Sequence, residues 1–271
     1  MTDSKQQSGR LAGKVAVVLG ATRPGNMGQA IARRFRDEGA RVVVSGRSTD
    51  GLKAFAEANG CLWRACDVRS KAEIQALADY TLDEYGAIHV GVNCAATGQS
   101  TQFEQTTEAE IDEMLGIIYK GAFFFMQVMV AAMREGGSII NVSSAVADIM
   151  FDNHASYQGA KAGMNHVTRA VANEYGAKGI RANILSPGLT ITPMLGSFMA
   201  PGMVEAFVKE YPLGRITTVD DVAHAALFMA SDECFMTGQT FHVTGGLTLR
   251  RNPTLAEIGA SIAAATGHAA R

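Results

Sequence analysis

The run Lys14-Val15-Ala16-Val17-Val18-Leu19, followed at once by a glycine-rich turn and a helical stretch, constrains the fold more than any other segment. A continuous apolar run has no polar face to turn to solvent, so it reads as a strand buried on both sides. The helix pattern after it, Gln29 to Gly39, predicts the crossover to a parallel neighbour. The same alternation continues down the chain. Arg41–Ser45 reads as a strand and Asp50–Asn59 as a helix. Further strands are predicted at Cys61–Cys66, Ile88–Asn93, Ser138–Val142, Arg181–Leu185 and Thr240–Val243. Helices fill the gaps, notably Thr107–Arg134, Ser156–Ala177 and Val219–Ala230. This order predicts an α/β fold: one Rossmann-type, doubly wound domain with a mainly parallel seven-stranded sheet and helices on both faces.

Residues 1–10 are expected to form a flexible N-terminus, residues 11–246 the folded domain and residues 247–271 an extension. In the extension, Asn252 reads as a helix cap with Pro253 as first helical residue, and Leu255, Ile258 and Ile262 share one face. That helix is expected to pack on this subunit or on a neighbour. Between Pro193 and Leu213 the rhythm breaks into a segment rich in Met, Phe, Pro and Gly. It reads equally as an apolar lid over the substrate region or as core packing by short helices.

The chain has 271 residues, 47% of them hydrophobic, and a formal net charge of −2. A near-neutral balance gives no reason to expect nucleic acid or an anionic membrane surface as a partner. The first nine residues are polar, unlike a secretory signal, and the apolar stretch Ala122–Met133 is too short to span a bilayer. A cytoplasmic location is therefore expected. The spacing of Cys61, Cys66, Cys94 and Cys234 matches no zinc or redox motif, so reduced thiols are expected, and no metal site is read among the six histidines.

Two short patterns carry chemistry. The turn Gly20-Ala21-Thr22-Arg23-Pro24-Gly25-Asn26-Met27-Gly28 joins a strand to a helix, where glycines let the backbone approach a pyrophosphate and the helix N-terminus attracts it. A carboxylate at the end of the second strand would hold ribose hydroxyls, but this chain has Ser45-Gly46-Arg47-Ser48 there. Arg47, with Arg23 nearby, is suited to a 2′-phosphate, so NADP(H) is expected over NAD(H), which stays possible; Arg47 as a solvated surface residue is the plainer alternative. The second pattern is Tyr157-Gln158-Gly159-Ala160-Lys161. Four residues apart, tyrosine and lysine share a helix face, and an ammonium near a phenol is expected to lower its pKa toward neutrality.

Beyond these, Leu11-Ala12-Gly13-Lys14-Val15-Ala16, Asp67-Val68, Asn93-Cys94-Ala95-Ala96 and Gly137-Ser138-Ile139-Ile140-Asn141-Val142-Ser143-Ser144 follow one another in a familiar order. So do Asn183-Ile184-Leu185-Ser186-Pro187-Gly188, Gly214-Arg215, Asp220-Asp221-Val222-Ala223 and Thr237-Gly238-Gln239. Together they resemble the short-chain dehydrogenase/reductase family from about Leu11 to Gly246. The resemblance implies Ser144, thirteen residues before Tyr157, and Lys161 as catalytic partners of an acid–base Tyr157. It implies cofactor contacts from Gly20, Thr22, Arg23, Gly25, Met27, Gly28, Arg47, Asp67, Val68, Asn93, Ala95, Tyr157, Lys161, Pro187, Gly188, Thr190 and Thr192. It further implies a homodimer or homotetramer, and an enzyme interconverting a secondary alcohol and a ketone.

The chain departs from the family in three places. The glycine turn is two residues longer and follows Leu19 rather than threonine, and Val243-Thr244-Gly245-Gly246 replaces the usual Val-Asp-Gly-Gly. The asparagine expected in the long fourth helix is Ile118. That last change leaves open a nucleotide-binding protein with little catalysis. Met150, His154, Met194, Phe198 and Met199, with Phe151 and Phe207, are candidates for an apolar pocket wall. They suit a hydrophobic or cyclic substrate, though core packing explains the same residues.

Overall fold

In the computed structural model, which describes residues 9–193, 195 and 200–267, seven strands form one parallel sheet. They are β1 (Val15–Leu19), β2 (Arg41–Gly46), β3 (Leu62–Ala65), β4 (Val90–Asn93), β5 (Gly137–Val142), β6 (Ile180–Pro187) and β7 (Thr240–Val243). Their spatial order is β3-β2-β1-β4-β5-β6-β7, and every adjacent pair runs parallel. All five residues of β1 are buried. The pleat sends them alternately to two cores: Ala16 and Val18 enter one cluster, Val17 and Leu19 the other.

The helices are α1 (Met27–Asp37), α2 (Thr49–Asn59), α3 (Lys71–Tyr85), α4 (Glu108–Met114), α5 (Gly121–Ala132), α6 (Ala155–Tyr175), α7 (Met203–Val208), α8 (Val219–Ala230) and α9 (Leu255–Thr266). Between α4 and α5 the helix does not stop but widens into a π-type turn at Leu115–Lys120. By length and composition, the continuous helix Glu108–Ala132 could cross a membrane, yet half of its most apolar window is buried within this fold. It is the sheet's long covering helix, carrying the fully buried Phe125 and Met129.

The winding order reverses between β1 and β4, which are parallel neighbours although β2 and β3 lie between them in sequence. Such a switch point opens a crevice beyond the carboxyl ends of the strands, and that crevice holds the site.

The extension folds differently from its sequence expectation. Thr254 caps α9, not Asn252, because Glu257 stands three residues on: Thr254 Oγ1 accepts from Glu257 N, and Glu257 accepts from Thr254 N at 2.7 Å. Asn252 is buried and spends its amide on the carbonyl of Met150 at 3.0 Å. The helix packs against this same subunit, on α7.

Candidate active site

The crevice is a cavity of about 700 Å³ running from the β1–α1 turn to α9. At its nucleotide end, Asn26 sets the shape of the lengthened turn. Its side chain accepts from Gln29 N at 2.9 Å, capping α1, and donates to Gly20 O at 2.8 Å. Gly20 has φ +95°, and a Cβ there would lie 2.7 Å from Ala95 N; one on Gly28 would lie 2.6 Å from Gly20 O. Only glycine permits this approach of backbone to backbone, and the same absence of side chains leaves a cradle for a diphosphate. A nicotinamide dinucleotide fits this cradle.

Thr22, Arg23, Met27, Arg47, Asp67, Val68 and Ala95 line the same cavity, as do Pro187, Gly188, Thr190 and Thr192. Neither the Arg23 nor the Arg47 guanidinium makes a hydrogen bond or an ion pair within 4 Å among the described residues, and both residues are exposed. Among the described residues Asp67 is the only carboxylate on the wall, and it faces Arg69, which donates to it at 2.5 Å and holds its carboxyl below the usual range. Thr190 donates its hydroxyl to Gly188 O at 3.0 Å. Two expected contacts lie elsewhere. Gly25, with φ +77°, only bends the turn. Asn93 is buried behind the wall, accepting from Ala95 N at 3.1 Å and reaching Asn141 at 3.3 Å, while Cys94 lines the cavity in its place.

Ser144, Tyr157 and Lys161 meet in the middle of the cavity. Ser144 lies two residues beyond β5, and its oxygen accepts from Val146 N at 3.4 Å as the chain turns. Tyr157 and Lys161 stand one turn apart in α6, with the ammonium 5.8 Å from the phenol ring centroid. Burial pushes the Tyr157 phenol up to about 12, and the Ser144 hydroxyl beside it pulls the other way. The sequence expectation of a phenol lowered by Lys161 is thus reversed in the protein alone. The Lys161 ammonium donates to Val142 O at 2.6 Å, and burial brings its own pKa down to about 8.

Ile118 packs in the core beneath α6, and its neighbour Ile117 is the residue of the π-type turn that reaches the cavity. The remaining wall combines apolar side chains with the polar Thr97, Gln99, Ser100 and Asn252. His154 stacks on Phe151 with centroids 4.7 Å apart; burial lowers its pKa, and its Nδ1 lies 2.6 Å from Asp152 O. Phe207 lines the cavity, whereas Met150 is 70% exposed and lies off it. Met194, Phe198 and Met199 lie outside the described residues. Sequence reasoning did not place Met203, Leu247, Leu255, Ile258 or Ile262 on this wall, although all five line it. Met203 lies in the Pro193–Leu213 segment read as a possible lid, and the signal for Leu255, Ile258 and Ile262 was their shared face on α9.

A family profile described as Enoyl-(Acyl carrier protein) reductase matches residues 20–248. The chain is 33% identical to D-threitol dehydrogenase from Mycolicibacterium smegmatis, over 89% of this chain and 95% of that one. It is also 33% identical to L-fucose dehydrogenase from Oryctolagus cuniculus, over 90% and 88%. A short-chain type dehydrogenase/reductase from Mycobacterium ulcerans superposes with a TM-score of 0.87 at 24% identity, covering 92% of this chain and 95% of that one. The chain belongs to the short-chain dehydrogenase/reductase family, whose members are oxidoreductases of the alcohol dehydrogenase type using NAD(P)(H).

Proposed function

We propose that the protein is an NADP(H)-dependent oxidoreductase that interconverts a secondary alcohol and a ketone on a hydrophobic or cyclic substrate. The observation that carries this reading is the convergence of Ser144, Tyr157 and Lys161 in one cavity whose far end presents the Arg23 and Arg47 guanidinium groups, neither ion-paired among the described residues. A bound nicotinamide supplies or receives the hydride. Tyr157, protonated at neutral pH, donates its proton to the carbonyl oxygen in reduction. Ser144 holds that oxygen as charge develops on it. Lys161, one turn below, holds the cofactor ribose and keeps positive charge near the phenol. Ile118 does not argue for a catalytically idle binding protein, because its side chain sits in the core and leaves Lys161 in place.

The test is a panel of ketones and secondary alcohols run with NADPH, NADH and their oxidised forms, followed at the nicotinamide absorbance. Wild type turns over at least one apolar member and prefers NADPH. Arg47→Ala raises the Kd for NADPH by roughly 10- to 100-fold, the worth of a charge-assisted fork on phosphate, and changes the NADH value far less. An unchanged ratio sinks the assignment of the 2′-phosphate. No turnover anywhere on the panel favours a binding protein.

Ile111, Leu115, Tyr119 and Phe123 are exposed at four-residue spacing along the helix from α4 to α5. This apolar stripe supports assembly with further copies of the chain as a homodimer or homotetramer. Sizing chromatography with light scattering is expected to give two or four subunits, and Leu115→Glu to shift the protein toward monomer.

A further inference from the structure

The catalytic groups account for only the middle of the cavity, and the nucleotide cradle for one end. The other end is built by residues that are distant in sequence. Ile258 and Ile262 of α9 face the cavity together with Met203 and Phe207 of α7 and Phe151 from the loop after β5. They belong to one apolar cluster that also includes Ala145, the residue next to Ser144.

α9 is fixed in this position by polar contacts on its outer sides. Ser261 donates to Gly202 O at 2.7 Å, just before α7. Arg251 bridges Glu257, at 2.6 Å, and Glu210, at 3.5 Å. Asn252 ties the segment before α9 to Met150 O at 3.0 Å. Backbone approach is tight here too, since a Cβ on Gly202 would lie 2.3 Å from Ser261 O. The helix is therefore docked by specific partners, and its isoleucines have defined places.

Charge is distributed unevenly along the wall. Among the described residues, its ionic groups are Arg23, Arg47 and Asp67 at the nucleotide end and Lys161 in the middle. The imidazole on this wall, His154, is kept toward its neutral form by burial. A carboxylate, phosphate or thioester-linked carrier arm would find no countercharge among the described residues of that wall.

We infer that α9 selects the substrate. Ile258 and Ile262 close the site around the body of an uncharged ketone or secondary alcohol whose reacting carbon lies at Tyr157, and that body is cyclic or aryl rather than a short chain. This rests on the proposed carbonyl–alcohol chemistry. The tests are Ile262→Ala, which trims a half-buried side chain with little risk to folding, and Ile262→Trp, which narrows the same space. Each is run with saturating NADPH on 1-tetralone and on acetone, beside calorimetric binding of 1-tetralone and a thermal melt.

Trimming is expected to lower the ratio of kcat/KM for tetralone over acetone by roughly tenfold or more, the usual scale for apolar groups lost from a substrate pocket. The tryptophan variant is expected to lower it further, with melting temperatures close to wild type. If tetralone is reduced and neither variant moves the ratio, the α9 inference is overturned while the chemistry stands. If tetralone binds in a way that depends on Ile262 but nothing is reduced, α9 keeps its role and the chemistry fails. If tetralone neither binds nor reacts, both are wrong.

Discussion

Tyr157→Phe lowers kcat for carbonyl reduction by about 10²- to 10⁴-fold, the span assigned to a positioned proton donor. The substitution isolates the hydroxyl. A phenylalanine ring keeps the packing against the helical cluster and the edge contact with His154, whose centroid lies 6.5 Å away. What goes is the one proton source next to Ser144. The remaining groups cannot replace it: Ser144 is a far weaker acid, and the Lys161 ammonium is turned to Val142 O. Hydride delivery without simultaneous protonation would leave an alkoxide in a buried site, which is costly. The Kd for NADPH should move little beside this loss, because the diphosphate cradle and Arg47 are distant in the fold. Steady-state kinetics on any ketone that wild type reduces, paired with a fluorescence titration of NADPH, check both halves. Full turnover in the variant would remove Tyr157 from the mechanism.

The sheet could be read almost strand by strand because parallel strands covered on both faces advertise themselves as unbroken apolar runs. β7 and α8 fall at their expected bounds, Thr240–Val243 and Val219–Ala230. Local chemistry decided where such readings slipped. The expected single helix Thr107–Arg134 contains a π-type turn that no periodicity of 3.6 residues foretells. At α9 two good capping residues competed, and the one able to form a reciprocal box won. Ser144, Tyr157 and Lys161 could be picked out because two of them share a helix face and the third lies at a familiar separation. Their electrostatics could not. Whether an ammonium lowers a phenol depends on where its Nζ points, and here Val142 O claims it. The α9 wall was equally hidden, because its contact with the loop after β5 joins residues about a hundred positions apart, such as Asn252 and Met150.

Lys161→Met is expected to make the protein more stable and nearly inactive. Lys161 is 2% exposed, with its charge facing one carbonyl and no carboxylate partner. Burial lowers its pKa from 10.5 to about 8. The sign follows from linkage. Between these two values the unfolded chain binds more protons at this site than the folded protein, so this group's contribution to stability rises with pH across that window. Below pH 8 the lysine is charged in both states, and the folded protein bears the full penalty of burying it. That penalty is on the order of 3 kcal/mol, from about 1.4 kcal/mol per pKa unit. Methionine fills a similar volume without charge, at the loss of one hydrogen bond worth about 1 kcal/mol. The variant should therefore gain about 1–2 kcal/mol at pH 7, and the gain should shrink as pH approaches 10. Urea unfolding of both proteins at pH 7 and pH 10 reads this difference directly, with other titrating groups cancelling between them. Turnover should fall by about 10²-fold or more, because the phenol loses the only cation near it in the middle of the cavity. A variant less stable than wild type at pH 7 would mean that Lys161 stabilises the fold rather than straining it. Stability gained together with activity lost would mark the lysine as a charge kept in place for chemistry at the expense of the fold.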